Sequence, residues 1–170
     1  SGLIKTGSID FISNAFGGVA RLDAQVNSSQ EVHPEGAGFL VSGSFLQTSR
    51  YGSLNNEGNG SESIVNVNGT GAHFAIEGTL SIRALGDFAS SVSKFVAQGG
   101  ENPVSSSISY NLSVQANGVG SRSEAVIDAP LLAIGGSNQS NATGEGAQTN
   151  VVVKGLADYD GIASVQAMSR

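Results

Sequence analysis

The sequence predicts an all-β chain, an antiparallel β-sandwich or barrel of about ten strands, and three observations carry that expectation. Apolar residues recur at every second position through several long segments, which is the period of a strand with one buried face. Gly, Asn and Asp pairs divide those segments at short, loosely regular intervals: Gly17-Gly18, Tyr51-Gly52, Gly86-Asp87, Asn117-Gly118 and Asp160-Gly161. The 170 residues, 39% of them hydrophobic, suffice for one packed core, and no shift of composition marks a second domain.

In chain order, the first dozen residues place Leu3, Lys5, Gly7, Ile9 and Phe11 on one side and Ile4, Thr6, Ser8, Asp10 and Ile12 on the other. This is a strand with no assigned partner. Residues 1–13 are therefore set apart as an N-terminal strand able to pair in its own domain or with another molecule, and residues 14–170 form a single β domain. Ala20, Leu22, Ala24 and Val26 alternate with Arg21, Asp23, Gln25 and Asn27 in the next strand. Phe39, Leu40 and Val41, with Phe45 and Leu46, then Ile64, Val65 and Val67, and finally Val151 to Val153, put apolar residues on both faces. Such strands suit cover on both sides, by a second sheet or a neighbouring molecule.

The clearest alternation runs through Phe74, Ile76, Gly78, Leu80, Ile82 and Ala84, and a second through Ile108, Tyr110, Leu112, Val114 and Ala116. Between them, Phe88, Val92, Phe95 and Val96 fall at helical spacing behind Asp87, and also read as a strand with Phe88, Val92 and Val96 inward. Loops are expected at residues 28–36, 55–63, 98–103 and 135–149, the last dominated by Gly, Ser, Asn and Thr. The tetrapeptide Ser113-Val114-Gln115-Ala116 recurs as Ser164-Val165-Gln166-Ala167, a hint of a degenerate repeat.

Composition narrows the function classes. A net charge of −6 without a run of Lys or Arg argues against nucleic-acid binding. No stretch of about 18 consecutive apolar residues is present, so no membrane insertion is expected. Charged residues are only 13%, about half the usual share, and Ser, Asn, Gly, Thr and Gln supply the polar surface. With a start at Ser1, this weakly charged surface suggests a processed, exported chain, extracellular or at the cell surface. Cysteine is absent, which excludes disulfides, thiolate nucleophiles and Cys-ligated zinc; scarce aromatics and no Trp weaken a sugar- or base-stacking role.

Candidates for chemistry are few. His33 lies beside Glu31, Pro34 and Glu35, where a carboxylate-rich metal site is conceivable, but a solvated loop is the expected reading. His73 sits on the polar face of a strand, where a cross-strand hydrogen bond explains it as well as a catalytic role does. Asp158-Tyr159-Asp160-Gly161 resembles a calcium-binding turn but lacks the remaining ligands, and reads as an ordinary Asp-Gly turn. No nucleophile elbow or zinc motif is present, so no catalytic residue, metal or cofactor is assigned and an enzyme is not expected. Asn-x-Ser/Thr triplets occur at Asn27, Asn59, Asn68, Asn111, Asn138 and Asn141, as candidates for glycosylation.

These features lead to a secreted structural subunit that self-assembles into an extracellular filament by β-strand addition, its partners being copies of itself. Leu3, Ile4, Ile9, Phe11 and Ile12 are its expected assembly strand. The general design resembles, by analogy only, that of secreted pilins and matrix-filament subunits, and jelly-roll-like or pilin-like packing is the expected form, although no stretch carries a motif of those families. The alternative is a monomeric extracellular β-sandwich that binds glycan or calcium through its loops.

Overall fold

The computed structural model describes residues 3–27, 37–50, 52, 60–70, 72–98, 106–136 and 138–158. Fourteen strands are found among them: β1 (Leu3–Thr6), β2 (Ile9–Ser13), β3 (Val19–Asn27), β4 (Ala37–Val41), β5 (Phe45–Ser49), β6 (Glu62–Thr70), β7 (Ala72–Ile76), β8 (Thr79–Ala84), β9 (Ser90–Gln98), β10 (Ser106–Ile108), β11 (Asn111–Asn117), β12 (Arg122–Ile134), β13 (Gln139–Thr143) and β14 (Gln148–Asp158). The chain is all-β, as expected. The antiparallel sandwich or barrel, jelly-roll-like or pilin-like, is overturned: every strand pairing is parallel.

From β1 to β12 the pairings within each face recur with a step of three strands. Because β12 covers two faces, the last ones, β10 with β12, β11 with β13 and β12 with β14, have a step of two. β1, β4, β7 and β10 follow one another in one face, β2, β5, β8, β11 and β13 in a second, and β3, β6, β9, β12 and β14 in a third. Each set of three consecutive strands is thus one coil of a parallel β-solenoid, and the next coil lies against it in register. β12 covers two faces. Its first half, Arg122 to Asp128, pairs with β9, while Leu132 to Ile134 pair with Ser106 to Ile108 of β10. Pro130 and Leu131 lie between these halves, and Leu131 adopts a positive φ of 53°, which turns the strand around the corner.

Four phenylalanines show that the faces enclose one interior. Phe39 and Phe74 come from the first face, Phe45 from the second and Phe95 from the third, and all are buried. Phe95 lies 5.5 Å from Phe45, edge to face, and 5.6 Å from Phe74 between ring centroids. Val65, Ile76, Leu80, Ile82, Ile108, Val114, Ile127 and Leu132 extend this core along the axis, each with no exposed surface. Burying side chains of that size contributes roughly 1.5–3 kcal/mol apiece.

Part of the interior is polar. Ser61, Ser63, Ser91, Ser93, Ser121 and Ser123 are fully buried on the third face, with Gln47 and Ser49 opposite them on the second. Gln47 donates from Nε2 to Ser63 O at 2.9 Å and Val92 O at 3.1 Å, and its Oε1 accepts from Ser93 Oγ. Ser49 donates to Ser90 O at 2.6 Å, and Ser91 donates to Arg83 O at 2.7 Å. Hydrogen bonding of this kind offsets the desolvation of the hydroxyls and the amide.

Several local expectations change with the winding. Phe88 to Val96 is not a helix. Ser90 onward is β9, whose inward residues are Ser91, Ser93, Phe95 and Ala97, so Val92 and Val96 face outward and Phe88 is 40% exposed in the preceding turn. Residues 135–149 are not one loop, since they contain β13 and the start of β14. Tyr110 is 70% exposed at the corner between β10 and β11, although its neighbours Ile108, Leu112, Val114 and Ala116 face the core as expected. A corner interrupts the two-residue period there. The loops expected at 28–36, most of 55–63 and most of 98–103, the second copy of Ser-Val-Gln-Ala and the Asp160-Gly161 turn lie outside the described residues, as does Tyr51.

Candidate functional site

A solenoid leaves strand edges open at its two ends, and the assembly strand expected from the sequence lies at one of them. β1 pairs with β4, from Leu3↔Gly38 to Thr6↔Val41, and β2 pairs with β5, from Ile9↔Phe45 to Ser13↔Ser49. Together with β3, which pairs with β6, these strands form the first coil. Their other edge meets no strand among the described residues. Ile9, Phe11, Leu22 and Ala24 point inward but are only partly buried, with no further coil over them among the described residues. Ile4 is 39% exposed and Ile12 is half-buried on the outer face.

Hydrogen-bond direction identifies the unpaired amides. Glu62 N donates to Gly18 O, which directs the peptide groups of Ala20, Leu22 and Ala24 toward β6 and those of Arg21, Asp23 and Gln25 toward the open edge. Likewise Ile9 N donates to Ser44 O and Arg50 N to Ser13 O, so Asp10 and Ile12 present the free groups of β2. The side chains that accompany these free groups are largely charged and of both signs: Lys5, Asp10, Arg21 and Asp23. Charges beside an edge discourage indiscriminate pairing.

Arg21 and Asp23 form an ion pair on the exposed flank, and Asn66 of β6 donates to the other carboxylate oxygen at 2.7 Å. The hydrogen bond from Arg21, followed by that from Asn66, holds the Asp23 carboxyl below its ordinary value; the Arg21 guanidinium is correspondingly raised.

At the other end, β13 pairs with β11 and β14 with β12, each on one side only among the described residues. Val151 and Val153 repeat the half-buried inward pattern of the first coil. Lys154 lies 3.8 Å from Asp128 on the outer face. Sequence reading placed β13 within a loop and missed this edge. Gly60-Ser61-Glu62-Ser63 and Gly120-Ser121-Arg122-Ser123 are the signal that could have exposed the coils, since both lead into the third face at the same corner.

The remaining candidates scatter. His73 lies on β7 with its ring against Gly38, where a Cβ would come within 3.0 Å of Cε1; His33 lies outside the described residues. Among the described residues no three His, Asp or Glu side chains gather in a group able to hold a metal. A shallow cleft between Phe39, Val67, Asn68, His73 and Val96 admits little more than a water molecule. Asn111 accepts from Thr79 Oγ1 at 2.6 Å, Asn138 Oδ1 accepts from Leu112 N at 2.8 Å, and Asn141 Oδ1 is buried. Asn68 is exposed; Asn27 ends β3, and Asn59 lies outside the described residues. No helix is long and apolar enough to cross a membrane among the described residues. No protein family, curated protein or solved structure matches the chain.

Proposed function

We propose that this chain is a structural subunit of an extracellular filament, joined to further copies of itself by strand addition at the open ends of the solenoid. The observation that supports this reading is the pair of terminal coils, where peptide groups without a strand partner among the described residues occur together with half-buried apolar residues, at β1–β3 and again at β13 and β14. A further strand at either end would gain backbone hydrogen bonds and bury Ile9, Phe11 and Leu22, or Val151 and Val153. Head-to-tail addition of this kind need not close and so builds a fibre.

The joining element is the outer edge of the first coil and not a detachable strand. Removing residues 1–13 would uncover β4 and β5, which is another edge of the same kind. A proline placed at an outward-directed amide is the better test, since it blocks the edge while sparing the ladder within the chain. The variant Ile12→Pro with Gln25→Pro changes β2 and β3 in this way. Negative-stain microscopy of the concentrated full chain is expected to show fibres, and the variant dispersed particles with an unchanged β-type circular dichroism spectrum. Fibres of equal length and number from the variant would refute joining through this edge.

A further inference from the structure

We infer that Asn68 is a modification site, the acceptor of an N-linked sugar on the flank of the solenoid. Four Asn-x-Ser/Thr triplets have a described acceptor side chain, and the fold treats them differently. Asn111 is half-buried on β11 with its carbonyl oxygen bonded to the Thr79 hydroxyl. Asn138 is half-buried at a corner, where its carbonyl oxygen satisfies the amide of Leu112. Asn141 is half-buried on β13 with its oxygen out of reach of solvent. Asn68 alone among these four is exposed.

Its position makes a bulky substituent tolerable. Asn68 stands on the outer face of β6, between Gln25 of β3 and Val96 of β9, two residues before the strand ends at Thr70. Inward neighbours Val67 and Phe95 carry the core there, while the Asn68 side chain is on the exposed side. Gly69 separates it from Thr70, which supplies the hydroxyl residue of the triplet without a bulky intervening side chain. A sugar at this place projects sideways from the second coil, one strand in from the open edge of β3.

The donor is a sugar linked through its anomeric carbon to a nucleotide or lipid diphosphate. The Asn68 amide nitrogen forms the new bond to that carbon, the bond from carbon to diphosphate oxygen breaks, the diphosphate leaves with the electron pair, and the amide proton passes to a base of the transferase. The folded full chain can be tested with UDP-glucose and an N-glucosyltransferase that accepts Asn-x-Ser/Thr, read by peptide mass spectrometry. Tryptic peptides of the chain, in which the triplets are open, serve as the positive control.

Asn68 is expected to gain one hexose about ten-fold or more faster than Asn111, Asn138 or Asn141, which must first open locally. Both Asn68→Gln and Thr70→Ala should abolish that fast modification, and Asn68→Gln should leave the melting temperature unchanged. An unmodified Asn68 in the folded chain, or equal rates at all four positions, would overturn the assignment.

Discussion

Gln47 shows what a single side chain contributes to the interior. It stands on the second face in a column with Phe11, Ile82 and Val114, where an apolar residue would continue the core, yet its amide reaches across to Ser63, Val92 and Ser93 on the third face. Replacing it by Leu keeps the volume but leaves the Ser93 hydroxyl without its acceptor and the Ser63 and Val92 carbonyls without this donor. Gln47→Leu should therefore cost about 2 kcal/mol or more, and adding Ser93→Ala should recover part of that loss. Urea denaturation of the two variants checks both. Alternation alone could not reveal this network, because Ser91 and Ser93 alternate with Val92 and Lys94, and hydrophobicity assigns the inside to the wrong residues. Where inward residues are apolar, as at Phe74, Leu80 and Ile82, the same period gave the correct face.

Elements of this fold are joined by turns that stack from coil to coil. Gly17, Phe88, Gly120 and Gly146 hold matching places before the third face, with φ of 62°, 58°, 61° and 70°. Leu131 and Gly155 match at the corner that β12 and β14 turn, at 53° and 80°. Glycine takes this conformation without strain, whereas a residue with a Cβ does not. Leu131 is 44% exposed, so Leu131→Gly should relieve strain and raise stability by about 0.5–1 kcal/mol. Gly155→Ala runs the other way: its Cβ would lie 1.8 Å from Ala129 O, and a loss of more than about 2 kcal/mol is expected. Thermal unfolding of the two variants should shift the midpoint in opposite directions.

The turns were legible in the sequence at Gly17-Gly18, Gly86-Asp87 and Asn117-Gly118, but the direction of the strands was not. A short glycine turn between alternating segments reads as a hairpin, since parallel neighbours ordinarily need a long crossover. Here the crossover consists of the segments that cross the other two faces. Arg122 meets Gln148 only after β13 has been laid down, and Ser90 meets Arg122 only after β10 and β11. Strand direction is therefore a property of the whole coil, which no local window contains. The unequal coil lengths obscure it further: Val19 pairs with Glu62, 43 positions on, and Arg122 with Gln148, 26 positions on.

At the scale of the molecule, the three faces set its length, and with it the repeat that the proposed assembly would show. Strands run across the axis, so each coil adds one strand spacing of about 4.8 Å to the length. The third face is five strands deep, from β3 through β6, β9 and β12 to β14. On the first face β14 adds a level by pairing Leu156 with Leu132. The chain is thus about five to six spacings deep, roughly 24–29 Å, which would be its share of the proposed filament. The alternating charges of the first coil, Lys5, Asp10, Arg21 and Asp23, would restrict which edges it accepts.

X-ray diffraction from aligned fibres of the full chain tests end-to-end strand addition most directly. The account predicts a meridional reflection near 4.8 Å together with an axial repeat of roughly 24–29 Å. A chain that remains a single particle of its own mass at every concentration, or fibres whose strands run along the axis, would contradict it.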